Sequence, residues 1–156
     1  MLKFNQFIFR SKRQTFFVST LLMKSYSTNK KWKRDFSEFQ NSEQMDMVSA
    51  KEGEKYYNHF EKGIYTCARC DNELYSSEDK FKSHCRWPSF RKPIRDDAII
   101  EKQDFTYGIE RTEILCSQCN LHLGHKFEDG KASGDTHKDA RWRHCVLSMS
   151  LDFQKK

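Results

Sequence analysis

The chain has 156 residues, of which 37% are hydrophobic and 32% charged, and it carries a formal net charge of +6. That length suits one domain with a modest core, and so few apolar residues predict that a cross-link or a metal supports it. No run of about 18 apolar residues occurs, so neither a membrane span nor a membrane partner is expected.

The charge is unevenly placed. The first acidic residue is Asp35, and nine basic residues precede it: Lys3, Arg10, Lys12, Arg13, Lys24, Lys30, Lys31, Lys33 and Arg34. Taking those nine from 28 leaves 19 basic against 22 acidic residues, a net of −3. A mildly acidic remainder lacks the basic face that nucleic acid requires. The acid-free start, rich in Arg, Lys, Ser, Thr and Phe, predicts a mitochondrial targeting presequence over residues 1–34 and a domain over 35–156. Phe4, Phe7, Ile8, Phe16, Phe17, Leu21 and Leu22 would form the apolar face of an induced helix, and residues 24–28 resemble a cleavage region. A basic disordered tail is the other reading. Initiation at Met23 would give a cytosolic form.

Residues 36–60 read as one or two helices, with Phe36, Phe39, Met45, Met47, Tyr56 and Tyr57 at mixed spacing and Gly53 and Gly63 as breaks. From Gly63 onward the pattern favours strands. Ile64–Thr66 is short and β-prone, as is Ala98–Glu101, and Phe105–Leu115 mixes β-formers with polar residues. At the end, Cys145, Leu147, Met149, Leu151 and Phe153 alternate with Val146, Ser148, Ser150 and Asp152, which predicts one strand with Cys145 at its start. The class is mainly β with N-terminal helices.

Six cysteines punctuate these elements. Cys67-Ala-Arg-Cys70 and Cys116-Ser-Gln-Cys119 are two Cys-x-x-Cys clips separated by 45 residues. Four thiolates so arranged fit a closed tetrahedral zinc site, structural because no coordination position is left open. Two disulfides or a redox clip are the alternatives. Cys85 and Cys145 remain. Arg143 and His144 precede Cys145, and a cation beside a thiol favours the nucleophilic thiolate; the alternative is a buried core cysteine. His122 and His125, flanking Leu123-Gly124, suit proton transfer near neutral pH, or a second metal site, or an exposed turn. Trp87-Pro88 can wall an apolar pocket or simply pack in the core.

Taken together, residues 61–67, 74–81, 87–90, 111–113, 122–125 and 143–145 resemble the B-type methionine-R-sulfoxide reductases, in order and approximate spacing, over about Glu43 to Phe153. The resemblance implies a β-tent fold, a pair of small antiparallel sheets, with zinc on Cys67, Cys70, Cys116 and Cys119 remote from the chemistry. It implies that Cys145 attacks the sulfoxide and that Cys85 resolves the resulting sulfenic acid. Trp87 would hold the substrate methyl group, His122 and His125 would orient and protonate the oxygen, and Arg143, paired with Asp129, would support the thiolate. Oxidised proteins or peptides would be the substrates, thioredoxin the reductant, and the chain a monomer. Three positions depart from the family pattern. Leu147 stands where an asparagine is usual, His84 and Arg86 replace glycines around Cys85, and the stretch from Gly130 to Arg141 is longer. A non-catalytic zinc module and a redox sensor are the competing readings, and neither a module nor a scaffold needs Cys85 and Cys145.

Overall fold

The computed structural model describes residues 31–156, so the presequence reading and Met23 lie almost wholly outside the described residues. Of the residues assigned to the presequence, Lys31, Trp32, Lys33 and Arg34 are described. The Lys33 ammonium is 2.7 Å from Asp71 and 2.9 Å from Asp152, and Arg34 also pairs with Asp152.

One α-helix is present among the described residues, α1 (Ser42–Glu52), which is shorter than the helical stretch expected over 36–60. Its limits are local chemistry. The Asn41 side chain caps it by accepting from the Gln44 N–H at 3.0 Å, and Gly53 leaves it at a φ of 84°, which favours glycine. Met45 and Ser49, one turn apart, are buried, and Asp46 beside them is half-buried. Residues 36–41 and 54–60 are turns held by tertiary contacts, for example the Tyr56 N–H donating to the Ser148 hydroxyl at 3.1 Å.

The strands are β1 (Gly63–Cys67), β2 (Glu73–Ser76), β3 (Lys80–Phe81), β4 (Ser89–Phe90), β5 (Ile99–Asp104), β6 (Arg111–Cys116), β7 (His122–Phe127), β8 (Arg143–Val146) and β9 (Leu151–Lys155). They form two antiparallel sheets, one in the order β2-β1-β9 and one in the order β3-β4-β8-β7-β6-β5. The mainly β reading with two small sheets therefore holds. Tyr65, Leu74, Tyr75 and Leu151 from the first sheet and Phe90, Ile114, Leu123 and Val146 from the second share one core. Tyr75 stacks on Phe90 at 4.4 Å between ring centroids, and Tyr65 meets Phe90 edge-on at 5.0 Å. No helix among the described residues is long and apolar enough to cross a membrane.

Gly63 opens β1, where the pattern turns to strands, and a Cβ there would strike the Phe153 ring and the Gln154 carbonyl. One sequence expectation is corrected. The alternating run 145–153 is not one strand: β8 ends at Val146, a 3-10 turn spans Ser148–Ser150, and β9 then joins the other sheet. Period two continues across the break because Leu147 and Leu151, either side of the turn, are both extended and buried, so composition alone hides the change of sheet.

Candidate functional site: a metal corner and a sulfur pair

Each clip follows a strand, and each is turned by a residue in the left-handed region, Asp71 (φ 59°) and Asn120 (φ 57°). The Asp71 N–H donates to the Cys67 carbonyl at 2.9 Å, and the Asn120 N–H to that of Cys116 at 2.8 Å. The two turns face each other. Cys67 Sγ is 3.6 Å from Cys119 Sγ, Cys70 Sγ is 3.5 Å from Cys116 Sγ, and all four sulfurs lie within 4.8 Å of one another. A tetrahedron of zinc–sulfur bonds near 2.3 Å has edges of about 3.8 Å. The sulfurs therefore suit such an ion. The Asn72 amide donates to Cys116 Sγ at 3.6 Å, the kind of outer contact that steadies a ligand. The thiols crowd one another: hydrogen bonds from Cys119 and Cys67 hold Cys116 low, while the Cys116 contact pushes Cys119 up to about 12. A dication would replace those shared protons.

The other two cysteines meet elsewhere. Cys145 is in β8, between Ser89 of β4 and His125 of β7, which fixes its backbone from both sides. Cys85 is on the loop that leads into β4. That loop is tied at four points: the Cys85 N–H donates to the Ser83 hydroxyl (3.2 Å), Tyr57 to the Ser83 carbonyl (3.2 Å), Arg86 to the Ala50 carbonyl of α1 (3.2 Å) and the His84 N–H to the Ser133 carbonyl (3.1 Å). The last of these comes from the long Gly130–Arg141 stretch. A bidentate Arg91–Asp135 pair at 2.7 Å anchors that stretch. The result is a Cys85 Sγ to Cys145 Sγ separation of 2.8 Å.

Period two sorts the neighbours of Cys145. Arg143 shares its face and His144 does not. His144 is buried against the Tyr75 hydroxyl at 3.2 Å, and burial pushes it down to about 3, so it is neutral. Of these two neighbours, Arg143 is the cation beside the sulfurs. It is bidentate to Asp129 at 2.8 and 2.7 Å and stacks on Phe127 at 4.5 Å. Its buried Nη1 has no protein hydrogen-bond partner. Between the sulfurs one proton is shared. The Cys145 thiol donates it and, being buried as well, is held above its usual range. Cys85 accepts it and is lowered to about 6, with Arg143 assisting.

Residues three apart in a regular strand point to opposite faces, yet the His122 and His125 rings lie on one side, 5.4 Å between centroids. A bulge explains it. Leu115 pairs with His122 and Ile114 with Gly124, so Leu123 is the extra residue and parity is restored. Gly124, at a φ of 142°, sits where a Cβ would collide with the Cys145 carbonyl. Each histidine is held by a carboxylate: His122 Nδ1 donates to Glu113 at 2.8 Å, and His125 Nε2 donates to Asp104 at 2.8 Å. Burial opposes protonation of both. For His122 the Asp46 and Glu113 carboxylates outweigh it and its pKa is raised, whereas for His125 burial prevails and its pKa is lowered. Protonation is therefore favoured at His122 relative to His125.

A cavity of about 60 Å³ joins these parts, lined by Asp46, Trp87, Arg111, Gly124, His125, Phe127, Cys145 and Leu147. Its lining brings the aromatic rings of Trp87 and Phe127 and the apolar Leu147 together with the Cys145 sulfur. Beside Cys85 lies a second, more open pocket of about 440 Å³ formed with Glu54, Tyr57, His84 and Arg86.

A family model described as SelR domain matches residues 38–155. Three relatives carry the description peptide methionine sulfoxide reductase MsrB. The one from Acinetobacter baylyi is 42% identical over 129 residues, covering 81% of this chain and 88% of the relative. That from Methanosarcina barkeri is 49% identical over 102 residues (65% and 67%), and that from Leptospira interrogans 39% identical over 137 residues (85% and 99%). The chain belongs to the SelR-domain family of B-type methionine sulfoxide reductases.

In this B-type reductase, sequence reasoning named both cysteine sets, Trp87, both histidines, Arg143 and its partner Asp129. It missed the carboxylates Asp46, Asp104 and Glu113, and Arg111, whose guanidinium is 2.7 Å from Asp104. Arg111 and Glu113 lie within a quoted family stretch but had no role. Asp46, on a weakly patterned helix, and Asp104, before the turn at Thr106–Gly108, offered no signal.

Proposed function

We propose that the chain reduces methionine-R-sulfoxide, in peptides and as the free amino acid, to methionine. The observation that carries this reading is the pair of sulfurs 2.8 Å apart, of which Cys145 lines a cavity with Trp87 and Phe127, with Arg143 as their cation. A sulfoxide oxygen leaves a sulfur only once protonated, so the reaction needs a thiolate, a proton donor and an apolar cradle together.

Substrate entry seats the methyl group against Trp87 and the oxygen toward His122 and His125. The Cys145 thiol passes its proton to the Cys85 thiolate and attacks the sulfoxide sulfur, while His122 protonates the oxygen. Oxygen transfers to Cys145 as sulfenic acid, and methionine, carrying the electron pair, leaves. The Cys85 sulfur then attacks that of Cys145, expels the hydroxyl as water and closes a disulfide. Two electrons have passed from two thiols to one sulfoxide. An external dithiol, thioredoxin, reaches Cys85 through the open pocket beside it and restores both thiols. The fixed positions of Arg143, Trp87 and the histidines favour one hand of the sulfoxide, the R form.

Cys67, Cys70, Cys116 and Cys119 would hold zinc, which would tie the ends of β1 and β6 and supply no step of the chemistry. The setting we propose is repair of oxidised proteins in the mitochondrion by a monomer, with a cytosolic form from Met23.

The test incubates the purified, metal-loaded chain separately with R and S peptide sulfoxides and a thioredoxin system. Methionine is expected from the R form only. A folded chain that leaves both epimers untouched overturns the proposal.

A further inference from the structure

Apart from the clip cysteines, one other group of metal-ligating side chains stands together among the described residues. Asp46 of α1 and His122 and His125 of β7 each offer a ligand atom within 4.8 Å of the other two. We infer that these three side chains bind a divalent cation of the borderline class, such as Zn²⁺ or Co²⁺, and that the bound cation switches the reductase off. The binding half stands on geometry alone; the inhibition half rests on the reductase reading above.

Two imidazoles and a carboxylate form a ligand set of the kind that holds zinc with one position left open. The His122 ring is already aimed. His122 Nδ1 is engaged by Glu113 at 2.8 Å, which turns Nε2 toward Asp46 Oδ1 at 3.3 Å. His125 Nε2 is engaged by Asp104 at 2.8 Å, which leaves Nδ1 as its free donor atom. A carboxylate on the far nitrogen of each ligating ring is the outer arrangement that metal-bound histidines use.

Charge agrees. Asp46, Glu113 and Asp104 surround the rings, and the cations facing them are Arg111, 2.7 Å from Asp104, and Lys102, 3.9 Å from Glu113. Arg143 is committed to Asp129 and the sulfurs. Access exists as well. The histidine side chains are only 5% and 6% exposed, but that of Asp46 is 22% exposed and lies on the cavity that holds Cys145, where a water fits as fourth ligand. Asp46 contributes no step to sulfoxide reduction as proposed above. A cation on the histidine nitrogens removes the proton donor and fills the space of the sulfoxide oxygen, so cation and substrate exclude each other.

The experiment titrates Co²⁺ into the full chain with its cysteine corner already zinc-filled. It reads equivalents bound per chain and the visible absorption of the new site. A second equivalent is expected in the parent and in a Cys85→Ser/Cys145→Ser chain, without the intense thiolate-to-cobalt band. Asp46→Ala should lose it, and Glu113→Gln should weaken it about ten- to 100-fold, with the first zinc and the circular dichroism retained in both. A parent that stops at one equivalent overturns the site, and so does a second equivalent that survives Asp46→Ala but vanishes with the two cysteines. For inhibition, the single-turnover rate of pre-reduced parent should fall with added Zn²⁺ at the midpoint of binding. Binding without loss of rate overturns that half. A chain that takes the second cation yet reduces neither sulfoxide overturns the reductase reading and leaves the site standing.

Discussion

The six cysteines fall into two groups that differ in backbone rather than in chemistry. Cys67, Cys70, Cys116 and Cys119 sit in two tight turns, each pinned by a left-handed residue, with sulfurs at the edge length of a zinc tetrahedron. All four are held alike. Cys85 and Cys145 are held unequally, one on a loop beside an open pocket and one between two neighbouring strands. A cation balances negative sulfur in both places: a metal ion suits the first, and the buried guanidinium of Arg143 serves the second. The contrast teaches that a ligand cluster needs four equivalent, immobile sulfurs. A redox pair needs one fixed sulfur to attack and one that can leave contact and return.

The largest test of that contrast removes a clip sulfur. Structural zinc contributes on the order of 10 kcal/mol to folding, as much as the whole stability of a typical domain. Cys116→Ser is therefore expected to abolish zinc retention and cooperative unfolding together, as read by metal content and thermal melting. A variant that still melts near the parent temperature would show that the corner is dispensable. Within the pair the effect falls on rate instead. Cys145→Ser should lower sulfoxide reduction by about 10³-fold or more, since Cys145 is the sulfur that lines the cavity and Cys85 does not, with melting little changed. Cys85→Ser should release one equivalent of methionine, more slowly than the parent because the thiolate that takes the Cys145 proton is gone, and then stop. Equal steady-state rates for parent and Cys85→Ser with thioredoxin would remove Cys85 from the cycle.

The same contrast explains what could be read from the chain. Clip spacing is a local signal, because each turn is built from consecutive residues. The pairing of Cys85 with Cys145 is not, since it depends on four ties from α1, Tyr57, Ser83 and the 130–141 stretch. The mainly β class followed from strand-forming runs, but the change of sheet after Val146 was hidden by an alternation that continues through a 3-10 turn. His122 and His125 were found as residues. Their shared face required a bulge at Leu123, which depends on the register with β6. The carboxylates behind them come from α1, β5 and β6, and no sequence spacing joins those elements.

A smaller effect separates the two groups by pH. Cys85 is lowered to about 6 by the hydrogen bond from Cys145, so the pair holds its thiolate above that value and gains a second proton below it. His122, the proposed proton donor, is raised by Asp46 and Glu113 in spite of burial and would donate only below its own elevated pKa. The single-turnover rate should thus fall about tenfold from pH 7 to pH 5 as the thiolate is lost, and fall again on the alkaline side as His122 deprotonates. Asp46→Asn withdraws one of the two supporting charges and should move the alkaline limb to lower pH while leaving the acid limb in place. An alkaline limb that does not move would assign it to another group.

The smallest effect concerns Leu147. Its side chain is buried to 2% exposure and lines the cavity beside Cys145, where the family pattern expects an amide. Leu147→Asn adds a donor within reach of the sulfoxide oxygen. One neutral hydrogen bond is worth about 0.5–1.5 kcal/mol, which at the transition state is about a two- to tenfold gain in kcat/KM. The same amide enters an apolar wall shared with Trp87 and Phe127 and costs about 1–3 kcal/mol of stability. Faster reduction with a lower melting temperature is therefore expected. The two readouts separate the causes: a lower melting temperature at unchanged rate would mean that Leu147 belongs to the core alone, and that His122 and His125 already supply all the polar contact the substrate uses.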